Sequence, residues 1–62
     1  FTIDFKEVSK SFTLNKDVWS KAVTDAIKNK TDPMIIVVLG EGQQKIRLAI
    51  MELDLVEQWE EK

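Results

Sequence analysis

The chain opens on an alternation. In "FTIDFKEV", residues 1 to 8, the apolar Phe1, Ile3, Phe5 and Val8 are set among Thr2, Asp4, Lys6 and Glu7. Period-two spacing turns successive side chains to opposite faces of an extended segment, which predicts a half-buried strand with Asp4 and Lys6 sharing one face. Ser9 to Thr13 then reads as polar connection, with Phe12 and Leu14 available to anchor it. The period changes beyond Asn15: Val18, Trp19, Ala22, Val23, Ala26 and Ile27 fall at offsets 0, 1, 4, 5, 8 and 9, one face of a helix over residues 16 to 30. Asn15 suits the N-cap, and Asp17 puts a negative charge in the first turn, where the helix dipole favours it. At the other end Lys28 and Lys30 suit the last turn, and Pro33 disfavours helical geometry at Asp32.

Residues 34 to 39, "MIIVVL", are apolar at every position and rich in β-branched side chains, which predicts a strand covered on both faces. Gly40 to Gln43 reads as a turn. "QKIRLAIM", residues 44 to 51, alternates Ile46, Leu48 and Ile50 with Lys45, Arg47 and Ala49, the pattern of an antiparallel hairpin partner with one face to solvent. Asp54 and Glu57 form a D-x-x-E capping pattern, and Leu55, Val56 and Trp59 give one side of a short helix running into "EEK". Strand, helix, strand in this order implies a right-handed crossover between parallel strands. The expectation is therefore a single small α/β domain over residues 1 to 62, of order β-α-β-β-α. The main helix covers one sheet face. For the second face the choices are the short C-terminal helix, another copy of the chain, or an upstream segment.

Sixty-two residues permit only a small core, since a chain of this size buries roughly 60% of its extended surface. Neither cysteine nor histidine occurs, which removes disulfides, thiolate nucleophiles, imidazole bases and zinc sites of the Cys/His kind, and fits a reducing, cytoplasmic setting. Nine basic residues against eleven acidic ones leave a net charge of -2, so any nucleic-acid contact has to come from a local patch. The apolar run "PMIIVVLG" is too short to cross a bilayer. A first residue of Phe1 within a strand pattern suggests a trimmed or cleaved piece of a larger chain.

One stretch offers chemistry. Alternate strand positions lie about 6 to 7 Å apart, so the carboxylate of Asp4 and the ammonium of Lys6 can reach one small reacting group. A carboxylate suits a hard divalent cation, and an ammonium can orient water or offset charge developing on a phosphate. A hydrolytic magnesium site normally gathers two or more acidic groups, and the remaining ones are not evident from spacing. The plain alternative is a solvated ion pair contributing about 0 to 1 kcal/mol. Trp19 reads as core, Trp59 as a clamp onto the sheet or a contact with another chain, and Glu57, Glu60 and Glu61 as a solvated acidic face.

"IDFKEVSKSFTL" resembles the (D/E)-x-K signature strand of the PD-(D/E)xK nuclease superfamily, more narrowly its phage and archaeal Holliday-junction-resolvase-like branch. The order that follows, "KS" at 10 and 11, a helix, an apolar strand, a Gly-containing turn and a further strand, is similar to the second half of a restriction-endonuclease-like core. The resemblance implies Asp4 as the metal carboxylate, Phe5 as donor of a backbone carbonyl to the metal, Lys6 as the catalytic lysine, and Lys10 and Ser11 beside the DNA backbone. Mg2+ is the implied cofactor. The family's Pro-Asp strand and acidic N-terminal helix have no counterpart in these residues, and glutamate is commoner than aspartate at the position of Asp4. The implied protein is thus the C-terminal part of a magnesium-dependent endonuclease, inactive alone, whose missing half would help bind DNA and cover the second sheet face. The alternative is a small phage or mobile-element α/β interaction module that dimerises through its apolar strand or C-terminal helix, or binds a protein partner, without catalysis.

Overall fold

The computed structural model describes residues 1–60, which form β1 (Thr2–Val8), α1 (Lys16–Lys28), β2 (Pro33–Leu39), β3 (Ile46–Ile50) and α2 (Leu53–Glu60). Glu61, read as part of the solvated acidic face, and Lys62 lie outside the described residues. The strands make one mixed sheet in the order β1-β2-β3, with β1 parallel and β3 antiparallel to β2. This is the β-α-β-β-α arrangement anticipated from the hydrophobic pattern.

Local chemistry sets the element ends. Asn15 is extended, and its side-chain Oδ1 accepts the backbone N–H of Val18 at 2.9 Å, satisfying one of the free donors at the start of α1. Thr31 donates to the carbonyl of Ala26 at 3.0 Å and Lys30 to that of Ile27 at 3.1 Å, the paired bonds of a Schellman turn. Lys30 occupies its left-handed position with φ of 56°, which is why α1 stops at Lys28 and not at residue 30. Pro33 opens β2, where a missing N–H is tolerated. In the β2–β3 connection Gly40 has φ of +114°, donates its N–H to the carbonyl of Val8 at 3.0 Å, and leaves no room for a Cβ, which would meet the Gln44 carbonyl oxygen at 2.6 Å. α2 begins at Leu53, so Asp54 lies inside the first turn and the expected D-x-x-E cap does not form.

Burial is one-sided. Ala22 from α1 meets Ile35 and Val37 from β2, and Val8, Phe12, Val18, Trp19, Leu39 and Ile50 pack around them. Ala22 and Ala26 are the buried positions of α1, and their small side chains let the helix approach the sheet closely. Ile27 is 70% exposed despite its place in the apolar stripe, because about 100° of rotation per residue carries it past the margin of the contact. The register places Thr2, Asp4, Lys6 and Val8 on the α1 side, level with Pro33, Ile35, Val37 and Leu39. A half-buried strand would turn Phe1, Ile3 and Phe5 inward; these are instead 51%, 55% and 59% exposed on the opposite face. The crossover determines which face α1 covers, and Val8, which meets the core where β1 hands over to Phe12, commits the even-numbered residues of β1 to that face.

Among the described residues the second face is left largely uncovered. β2 is buried at Ile35, Val37 and Val38, but Met34 and Ile36 stay half-exposed. α2 comes within 8 Å of no other element among the described residues, measured between Cα atoms. Leu55 and Val56 are half-buried, and Trp59 meets Phe1 edge-on with ring centroids 6.3 Å apart at 80°. The radius of gyration, 13.0 Å, exceeds the about 10.6 Å expected for a compact chain of this length.

Candidate functional site

β1 delivers Asp4 and Lys6 side by side, as its alternation requires. Lys6 Nζ stands 3.4 Å from Asp4 Oδ2, and the two side chains retain 36% and 30% of their exposure. Both lie at the sheet edge beside α1, where they are neither fully solvated nor enclosed. An ion pair so placed contributes at most about 1 kcal/mol to stability.

Asp4 also lines a small concavity between β1 and α1, together with Thr2, Ile3, Lys21, Ala22 and Asp25. Its floor is the close approach permitted by Ala22, and its rim carries two carboxylates, a hydroxyl and an ammonium. Lys21 and Asp25 are four residues apart, on the flank of α1 that adjoins the Ala22 and Ala26 stripe and faces β1. Their place beside Asp4 escaped the sequence reading. The available signal was their offset of one residue from the two alanines, which becomes informative only once the side of the sheet that α1 covers is known.

The N-terminal end of this region is tied by side-chain hydrogen bonds. The Asn29 amide donates to Thr2 Oγ1 at 3.3 Å and to the Asp25 carbonyl at 3.1 Å, and the Thr2 and Thr31 hydroxyls are in direct contact. The backbone N–H of Thr2 donates to the Asp32 carbonyl at 2.9 Å. The strand carrying Asp4 is thereby held to the end of the helix carrying Asp25.

The remaining implied site residues are not gathered at this point. Phe5 sends its side chain to the open face, and its backbone runs between Asp4 and Lys6. Lys10 and Ser11 are exposed beyond the C-terminal end of β1. The chain bends at Ser9 and Lys10, so at about 3.3 Å per residue Lys10 stands at most roughly 13 Å along the chain from Lys6. Asp4 and Asp25 with the Thr2 hydroxyl are hard oxygen donors of the kind Mg2+ takes. Among the described residues no three of His, Cys, Asp and Glu are grouped to hold a metal ion, and no helix is long and apolar enough to cross a membrane.

No family model matches the chain, and no curated protein or solved structure is significantly similar to it.

Proposed function

We propose that this chain is part of a magnesium-dependent endodeoxyribonuclease of the resolvase-like kind, acting in the cytoplasm and needing further acidic ligands from outside these residues. The observation that carries the reading is the paired projection of Asp4 and Lys6 from β1, with Asp4 lining the concavity shared with Asp25. Asp4, with the Phe5 carbonyl, would hold the cation, and Mg2+ when bound would supply charge neutralisation at the scissile phosphate. Lys6 orients the attacking water and offsets the charge that grows on the phosphoryl oxygens. The water oxygen bonds to phosphorus and gives up a proton to solvent, the bond to the leaving oxygen breaks, and that oxygen takes a proton back from solvent, so the protons balance. Lys10 and Ser11 meet the DNA backbone farther along, as positioning contacts.

The test is cleavage of branched and duplex DNA by the protein that carries this chain, with and without Mg2+. Lys6→Ala is expected to abolish cleavage while leaving the circular dichroism spectrum and melting temperature in place. Cleavage that survives Lys6→Ala and Asp4→Asn, or that ignores magnesium, removes the nuclease reading.

A second reading, a non-catalytic interaction module, is favoured by a different observation: the exposed apolar face made by Phe1, Ile3, Phe5, Met34 and Ile36.

A further inference from the structure

We infer that the open sheet face is the contact surface for a second copy of this chain, the two copies packing face to face about a two-fold axis parallel to the strands. The inference does not rest on the nuclease reading: the Asp4 and Lys6 pair lies on the α1 side and faces outward in such a dimer, and the face that reading gives to an upstream segment is here given to a second copy.

The register carries the inference. On the open face the cross-sheet rows are Ile3 and Met34; Phe5, Ile36 and Ala49; and Glu7, Val38 and Arg47. A two-fold axis along the strands exchanges the β1 and β3 edges and keeps every row at its own level. The row with Glu7 at one edge and Arg47 at the other then meets its own reverse. Each Glu7 stands opposite an Arg47 of the second copy, twice by symmetry, on either side of Val38, which is already buried within its own chain. The next row is complementary in size. Phe5 of each copy stands over Ala49 of the other, beside the depression of about 350 Å³ lined by Ile36, Arg47, Leu48 and Ala49. Sheets stack about 10 Å apart, a gap that Glu and Arg side chains bridge from opposite sides. A two-fold axis perpendicular to the strands would instead stack β1 on β1 and set Glu7 against Ile3, which buries charge on an apolar side chain.

Area agrees with this. The chain exposes 5149 Å², against about 4,100 Å² for a compact monomer of 7.2 kDa. Phe1, Ile3 and Phe5 on this face, each more than half exposed, contribute to the excess, as does α2. A standard interface takes about 800 Å² from each partner, the same order as this excess.

Sedimentation equilibrium of the 62-residue chain tests the inference. The chain is expected to dimerise, and Glu7→Arg or Arg47→Glu alone to weaken association about ten-fold or more, since each places like charges opposite one another twice. The double variant restores association, and so does mixing the two single variants, whose charges are then complementary across the interface. Circular dichroism of each single variant keeps the fold separate from the interface. A chain that stays monomeric throughout, a dimer indifferent to both single exchanges, or a failure of the mixture to associate would each overturn the inference.

Discussion

The two faces of the sheet differ more than their sequences do. Read along β2 alone they look alike: Ile35 and Val37 on one side, Met34, Ile36 and Val38 on the other. On the α1 side Ile35 is 0% and Val37 1% exposed, under Ala22. On the other side Ile3 and Phe5 are more than half exposed, and among the described residues no element lies across them. Apolar composition therefore marks a surface that can be buried, and only the neighbour decides whether it is buried within the chain or by something else.

Substitutions that separate the faces come first because they should have the largest effects. Ile35→Ala removes a fully enclosed side chain and is expected to cost about 2 to 5 kcal/mol, enough to unfold much of so small a domain; chemical denaturation measures it. Phe5→Ser on the open face should cost the monomer far less, under about 1 kcal/mol, at protein concentrations too low for association. Equal losses for the two would mean that the open face is packed within the chain after all.

Backbone substitutions test the frame that holds the faces apart. Gly40→Ala is expected to lose about 1 to 3 kcal/mol, as its φ and the Gln44 carbonyl both oppose a Cβ. Lys30→Gly should gain up to about 1 kcal/mol by relieving the left-handed residue that ends α1, read as a higher melting temperature. The smallest change is expected from Lys6→Ala. Loss of a part-exposed ion pair moves stability by no more than about 1 kcal/mol, so a large loss of DNA cleavage in the protein carrying this chain would be chemical in origin.

Much of the candidate site was legible in the linear pattern, because alternation in a strand is a local property. That Asp4 and Lys6 adjoin follows from two-residue spacing, and that Lys10 and Ser11 stand apart follows from the length of β1. Asp25 and Lys21 were not legible as neighbours of Asp4, since their approach depends on a helix crossing the sheet and on which side it crosses. Trp59 shows the same limit. Its spacing in α2 indicated a clamp, and it does meet Phe1, but through one ring at the sheet margin while the helix itself stands off the sheet.

The amino-acid order by itself determined the five elements, the cap at Asn15, the parallel crossover and the antiparallel return through Gly40. These rest on interactions within a few residues, or on the handedness common to all such connections. The tertiary structure alone decided that the charged side of β1 lies toward α1 and that the aromatic side is left open. A period of two states which residues travel together but not which way they point, and that choice was made by Val8, Ile35 and Val37 meeting Ala22 across the chain.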